Sequence, residues 1–360
     1  MDEDRSKGEH RSTTAAQQKE EEMSTMRKSS SVVLALTILV GIGLIASVIW
    51  PVGAQAAKAK KLKLAACYST PIEEPWPNCI HHACLKVAKE TGIKYDMTEH
   101  IGYTDFEKVL REYCERGYDV ITGDAFGNEE VVRRVAKDYP KIAFCFGSGL
   151  GPAEPNFSVF DNWIQQPAYL CGIIAGKVTK TGTIGVLPQM DIPEINRILN
   201  AYIAGAKSTN PKVKVIGTYI GSFFDPPKNK EAGLALIEGG ADVIFAMGYG
   251  GIEAAKEKKK LAFGNMQDQW KLAPDSVITG PIWDMYPTIK ALIDAVQGGY
   301  FSGRDYGEYS FMSKGGSYLA PYHNFEKKLP KEVKDLVKAK TKEIMNGKLR
   351  VAIDEGTAKF

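Results

Sequence analysis

The sequence predicts an α/β protein made of two doubly wound, Rossmann-like lobes joined by a hinge. Beyond residue 60, short β-rich apolar runs alternate with amphipathic helical stretches, the pattern of a parallel sheet covered by helices on both faces. Glycine or proline stands at most of the joints between them, as expected of connections. A chain of 360 residues, 44% of them apolar, is long enough to fill two ordinary cores.

The first lobe begins after residue 60 and alternates strands with helices. Its strands are predicted at residues 62–67, 94–98, 120–122 and 141–146. Its helices are predicted at residues 78–91, 105–116 and 128–139. Asn78 is expected to cap the first helix, whose apolar face repeats at helical spacing through Ile80, Ala83, Cys84 and Val87.

The second lobe repeats this architecture without repeating the sequence. Its helices are predicted at residues 167–178, 195–208, 226–238 and 251–258. Its strands are predicted at residues 183–186, 214–219, 243–246, 261–263 and 277–279. The alternation again predicts a parallel sheet between helices.

The remaining chain is expected to cross back between the lobes and form the hinge. It contains a predicted helix at 286–297, a strand-like run at 306–311 and a charged helix at 331–346. We therefore assign residues 61–162 and 284–305 to lobe 1. Residues 163–283 and 306–325 are assigned to lobe 2, and residues 326–360 to a C-terminal helical extension.

The N-terminal region is predicted to be a targeting segment. Residues 1–30 have no apolar period and are expected to be a disordered tail. Residues 31–57 are predicted to be a signal or anchor helix, because Arg27 and Lys28 precede an uncharged apolar run closed by Ala54-Gln55-Ala56. A run of about 20 residues also suffices to span a bilayer, so cleavage and membrane anchoring both stay open. In either case the rest of the chain lies outside the cytoplasm.

Composition and motifs exclude several function classes. With 46 basic and 43 acidic residues, the charge is too balanced for a nucleic-acid partner. The six cysteines form no C-x-x-C pair and are expected as buried thiols, with disulfides as the alternative. Glycines 248–251 lack both phosphate-binding patterns, and no hydrolase motif is present. We therefore expect no metal, no cofactor and no enzymatic activity.

Candidate ligand-binding residues follow the strands, because ligands of open α/β sheets lie beyond the carboxyl ends of the strands. In lobe 1, Trp76 and Asn78 follow the first strand, and Asp124 and Phe126 follow the third. Trp76 is expected to stack on a flat ligand, with packing between the lobes as the alternative. Asp124 is a ligand-binding candidate that would otherwise cap a helix.

The hinge and the second lobe add further candidates. Asp161 and Asn162 lie where the chain is predicted to leave lobe 1, although Asp161 would also suit a helix cap. Lobe 2 contributes Phe223, Phe224, Gly248, Tyr249, Asn265 and Asp268. Aromatic rings on opposing lobes, with amides and carboxylates between them, suit a planar heterocycle such as a purine, a pyrimidine or a flavin.

Residues 61 to about 350 resemble the basic membrane protein family, the purine-nucleoside-receptor-like solute-binding proteins of ATP-binding-cassette (ABC) uptake systems. The resemblance is carried by Glu73-Glu74-Pro75-Trp76, Gly123-Asp124-Ala125-Phe126, the helix from Ala168 to Gly176, Phe223-Phe224-Asp225-Pro226-Pro227-Lys228, Gly240-Ala241-Asp242-Val243-Ile244 and Gly264-Asn265-Met266-Gln267-Asp268-Gln269. It implies a type I periplasmic-binding-protein fold with three crossovers between the lobes.

The resemblance also implies which residues hold the ligand. Trp76 and Phe223 match the two aromatic positions that sandwich a base, and Asp124 matches the carboxylate that reads its polar edge. Asn265 stands where nucleoside binders usually carry an Asp that holds the ribose hydroxyls, and Trp283 replaces a Lys expected near the ligand. Both departures favour a free purine base over a nucleoside.

The expected function is therefore that of an extracytoplasmic solute-binding protein. It would close around a purine base or nucleoside and deliver it to the permease subunits of an ABC transporter, with the N-terminal segment as its membrane contact. The alternatives are the ectodomain of a membrane-anchored ligand sensor, a binder of another flat heterocycle such as riboflavin, and a hydrolase on a similar scaffold.

Overall fold

The computed structural model describes residues 61–102, 104–147 and 149–360. The predicted tail and the signal or anchor helix lie outside the described residues. Among the helices that are described, none combines the length and apolar character needed to cross a membrane. The described chain contains two five-stranded parallel sheets, each at the centre of one lobe.

The sheet of lobe 1 has the strand order β2-β1-β3-β4-β5. Its strands are β1 (Lys63–Cys67), β2 (Lys94–Thr98), β3 (Val120–Asp124), β4 (Ala143–Gly147) and β5 (Phe157–Phe160). The central strands are almost entirely apolar and buried, because helices cover both faces of a parallel sheet. These helices include α1 (Pro75–Thr91), α2 (Phe106–Glu115) and α3 (Glu129–Asp138).

The sheet of lobe 2 has the strand order β10-β9-β8-β6-β7. Its strands are β6 (Thr183–Leu187), β7 (Lys214–Gly217), β8 (Val243–Ala246), β9 (Leu261–Phe263) and β10 (Val277–Thr279). Its helices are α4 (Gln165–Val178), α5 (Pro193–Thr209), α6 (Pro226–Glu238) and α7 (Gly251–Glu257). Helices α4 and α5 touch backbone to backbone, since a Cβ atom at Gly172 would lie 1.9 Å from the Tyr202 carbonyl oxygen.

Three segments connect the lobes. The first leads from β5 into α4, and the second leads from β11 (Pro281–Trp283) into α8 (Tyr286–Gln297), which packs on α1. The third returns from α8 to β12 (Ser317–Leu319), the antiparallel partner of β11. These short strands were not predicted from the sequence.

Two sequence predictions about local structure were wrong. Residues 306–311 form no strand, because the Asp305 carboxylate accepts a hydrogen bond from Gly307 N at 2.6 Å and the chain turns into a 3-10 helix. Asn78 is not a helix cap, because α1 already begins at Pro75 and Glu74 is its cap, accepting from Trp76 N at 3.1 Å. Proline suits a first helical position, where an amide hydrogen would have no partner.

The C-terminal part of the chain packs on lobe 2. Helix α9 (Lys331–Met345) contacts α4, and the chain then runs without regular structure over the start of α5, where Ala358 is buried. The predicted helical extension is therefore helical only in its first half. All six cysteines are buried, and none is bonded to another.

Candidate functional site

A cleft between the lobes is formed by the loops that follow strands of both sheets. It holds a cavity of about 60 Å³, which is smaller than the usual small-molecule site. From lobe 1 it is lined by Ser69, Thr70, Glu74, Trp76, Asp124 and Phe126. From lobe 2 it is lined by Gln189, Ile192, Glu194, Ile195, Phe223, Met247, Asn265 and Met266.

Trp76 has the largest side chain of the lining, and a second tryptophan supports its ring. It lies in the first turn of α1 and is 7% exposed. Its ring packs against that of Trp283 with centroids 4.6 Å apart. Trp283 donates a hydrogen bond from Nε1 to Ser310 Oγ at 3.0 Å. Trp283 is thus outside the lining and acts as a support for the Trp76 indole, which differs from the ligand contact expected from the sequence.

Two phenylalanines meet across the cleft. Phe126 of lobe 1 and Phe223 of lobe 2 approach edge to face, with ring centroids 5.2 Å apart and planes at 78°. Such an arrangement is favourable for aromatic rings, by about 0.5–1.5 kcal/mol beyond their burial. The pair brings an aromatic ring from each lobe to one cavity, as the sequence predicted for Phe223.

Asp124 ends β3 and carries a carboxyl into the cleft. Its pKa is raised to about 7, mainly by burial; the hydrogen bond from Phe126 N at 3.0 Å opposes the rise, and the nearby Asp161 contributes to it. The preceding Gly123 has a φ of 145°, and a Cβ atom there would lie 2.0 Å from the Cys67 carbonyl oxygen. Only glycine lets the end of β3 approach β1 this closely.

Two further carboxyl groups line the cleft, and neither was predicted from the sequence. Glu74 is 5% exposed, and burial raises its pKa well above the usual range. Glu194 lies in the first turn of α5, and burial also raises its pKa, with a further contribution from Asp161. Glu194 lies in the segment that leads from β6 into α5, and ligands bind beyond the carboxyl ends of such strands. That rule was the signal in the sequence that could have identified Glu194.

The predicted hinge residues Asp161 and Asn162 bind an arginine instead of lining the cleft. Arg197, 1% exposed, contacts Asp161 Oδ2 at 2.7 Å and Asn162 Oδ1 at 3.3 Å. Its guanidinium also lies 3.9 Å from the centre of the Trp163 ring. This buried cluster joins the first crossover to α5.

Asn265 lines the cleft with one free acceptor. Its Nδ2 donates to the Met247 carbonyl at 3.3 Å. Its Oδ1 has no hydrogen-bond partner among the described residues, and the same is true of Trp76 Nε1 and Glu194 Oε1. Buried polar atoms are normally paired, so these three atoms are available to a ligand.

The remaining predicted site residues lie outside the lining. Asn78 donates to the Ile72 carbonyl at 2.9 Å, and Phe224 is 41% exposed. Tyr249 donates to Gln267 at 3.4 Å, and Asp268 pairs with His323 at 2.7 Å. Gly248 packs near Gln189, which is itself a lining residue.

Several residues of the lining were not predicted from the sequence: Gln189, Ser69, Thr70, Ile192, Ile195, Met247 and Met266.

The charge of the cleft restricts what it can bind. Three carboxyls line it, and no lysine, arginine or histidine of the described chain does. An anionic group such as a phosphate would therefore find three carboxyls and no cationic side chain in the lining. The arrangement suits a flat, uncharged or cationic molecule with hydrogen-bonding groups at its edges.

Comparison with known proteins agrees with this picture. Residues 63–312 match the family model described as ABC transporter substrate-binding protein PnrA-like. The purine-binding protein of Brucella abortus is 28% identical over 82% of this chain and 85% of its own length. The ABC transporter nucleoside-binding protein BmpA of Lactococcus lactis is 30% identical over 73% and 79%. A putative glucose-binding protein of Haloferax volcanii is 30% identical, and the match spans 65% of its length.

Solved structures share the fold. An ABC transporter solute-binding protein from Aeropyrum pernix aligns with a TM-score of 0.70 over 81% of this chain and 94% of its own, at 19% identity. One from Conexibacter woesei aligns with a TM-score of 0.66 over 81% and 98%, at 23% identity. The predicted type I periplasmic-binding-protein fold is thereby confirmed. The family match and the relatives show that this chain belongs to the PnrA-like family of ABC transporter substrate-binding proteins.

Proposed function

We propose that this protein binds a free purine base in the cleft outside the cytoplasm and delivers it to the permease of an ABC transporter. The observation that carries the proposal is that rings from opposite lobes, Trp76 and Phe223, line one cavity together with the carboxyls of Asp124 and Glu74. Aromatic faces cover a planar base, and carboxyls hydrogen-bond its nitrogen-rich edges. Two relatives carry purine-binding or nucleoside-binding in their names.

Each lobe supplies only part of these contacts, so the ligand binds most tightly when the lobes are closed. A ligand shifts an open–closed equilibrium by the difference between its affinities for the two forms. The closed form is what the permease would recognise. No covalent chemistry is needed for this cycle, and we propose that the protein is a carrier and not an enzyme.

The single free acceptor of Asn265 supports a base over a nucleoside. A carboxylate offers two acceptor oxygens to the neighbouring hydroxyls of a ribose, whereas Asn265 offers one acceptor, Oδ1, and its Nδ2 donates one hydrogen bond to the Met247 carbonyl. Ile192, Ile195 and Met266 make the rest of this wall apolar. Hydroxyls placed there would lose hydrogen bonds to water without full replacement.

Calorimetric titration of the purified protein tests the proposal. Adenine, hypoxanthine, adenosine, guanosine, riboflavin and adenosine monophosphate are compared at one pH. We expect binding of a base, weaker binding of its nucleoside, and no binding of the monophosphate, whose charge would face the acidic cleft. Tighter binding of a nucleoside would overturn the choice of a base, and binding of riboflavin alone would overturn the purine proposal.

A further inference from the structure

Glu194 and Arg197 are neighbours on α5 that do not pair with each other. Residues three apart on a helix face the same side, and opposite charges at this spacing usually attract. Arg197 instead contacts Asp161 Oδ2 at 2.7 Å and Glu355 Oε1 at 3.0 Å. Glu194 Oε1 is buried and has no hydrogen-bond partner in the described chain.

Glu355 is brought to Arg197 by the C-terminal segment, residues 354–360. Asn200 Nδ2 donates to the carbonyls of Asp354 at 2.9 Å and Gly356 at 2.8 Å, on either side of Glu355. Tyr219 and Asp191 bind the segment further on, through Ala358 N at 3.1 Å and Thr357 Oγ1 at 3.0 Å. The segment lies beyond residues 63–312, the part that the family model covers.

The surroundings of Glu194 favour its uncharged form. Asp161 at the hinge, Asp124 at the end of β3 and Glu74 before α1 are the acidic groups that act on it, and each disfavours a further negative charge. Arg197 is the cation that would favour ionisation, and Asn162 acts in the same direction. Two carboxylates already hold the guanidinium of Arg197, and Trp163 covers one of its faces.

We propose that Glu355 keeps the Glu194 carboxyl neutral by occupying Arg197 together with Asp161, so that Glu194 presents both a donor and an acceptor to the ligand. A neutral carboxyl has one O–H donor and one carbonyl acceptor side by side. Purine bases carry a ring nitrogen acceptor next to an N–H donor, and the two patterns match. Glu194 is then a ligand contact that selects for such an edge, and Glu355 is a positioning residue. This inference rests on the proposed function.

Four variants separate this role from a structural one. Glu194→Gln has a permanently neutral side chain with a donor and an acceptor, whereas Glu194→Ala has neither. Glu355→Ala frees Arg197 to turn toward Glu194. Thr357→Val is the matched control, because it removes the bond of the same C-terminal segment to Asp191 and leaves the two bonds on either side of Glu355 in place.

Titration with adenine at pH 7 is the first measurement. We expect Glu194→Ala to bind about tenfold more weakly than the wild type, and Glu194→Gln to recover most of that loss. Glu355→Ala should bind about fivefold more weakly than the wild type, a modest effect because the Glu355 side chain is 41% exposed. Thr357→Val keeps wild-type affinity, and Glu355→Ala causes no further loss when combined with Glu194→Gln. Equal weakening by Glu194→Gln and Glu194→Ala, or by Glu355→Ala and Thr357→Val, would overturn the inference.

Carboxyl carbon NMR of the ligand-free protein is the second measurement. The Glu194 signal, assigned by its loss in Glu194→Gln, should titrate at lower pH in Glu355→Ala than in the wild type and in Thr357→Val. An unchanged Glu194 titration would overturn the inference while leaving purine binding intact. If the wild-type protein binds no purine base, the proposed function and the role of Glu194 as a ligand contact are both overturned. The NMR titration then still decides whether Glu355 controls the pH at which Glu194 ionises.

Discussion

The two lobes share one architecture but contribute different chemistry to the cleft. Lobe 1 supplies the supported indole of Trp76 and two carboxyls, Glu74 and Asp124, from the loops after β1 and β3. Lobe 2 supplies Phe223 and a mainly apolar wall, with Asn265, Gln189 and Glu194 as its polar groups. From this difference we propose that lobe 1 binds the ligand first and that lobe 2 covers it on closure.

Removal of the Trp76 ring should have the largest effect and tests the division of roles between the two lobes. Trp76→Ala should weaken purine binding about 100-fold, because stacking on an aromatic ring contributes about 1–3 kcal/mol per base and Trp283 would lose its partner. Trp270→Ala is the matched control, since Trp270 stacks on His323 with centroids 4.5 Å apart and lies outside the cleft lining. Calorimetric titration gives both values, and equal losses in the two variants would refute the role of Trp76.

Removal of the Asp124 carboxyl of lobe 1 should have the next largest effect. Asp124→Ala is expected to weaken binding about 30-fold, since a buried edge of the ligand would lose its hydrogen-bond partner. The variant should fold and melt as a single transition, because within the described chain the Asp124 side chain accepts one hydrogen bond, from the nearby Phe126 N. Calorimetry with circular dichroism checks both statements, and wild-type affinity in a folded variant would assign the polar edge to another residue.

The lobe 2 ring should matter less than its lobe 1 counterpart. Phe223→Ala is expected to weaken binding about tenfold, and mainly by raising the dissociation rate, because this ring covers the ligand after lobe 1 has bound it. The adjacent Phe224 is 41% exposed and outside the lining, so Phe224→Ala should leave the affinity unchanged. Stopped-flow dissociation rates give the answer. A larger effect of Phe223→Ala than of Trp76→Ala would reverse the roles of the lobes.

The smallest expected effect concerns the pH dependence of the free energy of unfolding. The pKa of Asp124 is raised by burial to about 7 in the folded protein, against 3.8 for a free Asp. Between these values the folded state binds more protons than the unfolded state, so the free energy of unfolding falls as pH rises. Asp124→Asn should remove about 1 kcal/mol of this decline after allowance for partial exposure. Urea unfolding from pH 4 to pH 8 measures it, and parallel profiles would contradict the shift.

The contrast between the lobes also explains what the sequence could predict. Trp76, Asp124 and Phe223 were identified because aromatic and acidic residues at the end of a predicted strand, or in the loop that follows it, stand out from the apolar pattern. Glu74 was missed because the two prolines after it were interpreted as a loop, although they form the first turn of α1. Asp161 was assigned to the ligand because it lies where the chain was predicted to leave lobe 1. Its partner Arg197 lies 36 positions along the chain, and no local pattern reveals that contact.

Lobe 2 was less predictable for a related reason. The helix after β6 was expected at residue 195, which left Glu194 in an uninspected loop, whereas α5 begins at Pro193. The strands β11 and β12 are three residues each, too short to show the alternation that identifies a strand. Tertiary contacts determine both features.

A crystal structure of the protein with adenine tests the central claim most directly. The account predicts the base between the rings of Trp76 and Phe223, with its nitrogen edges within hydrogen-bond distance of Asp124, Glu74 or Glu194. A base bound away from either ring, or held by basic side chains, would contradict it.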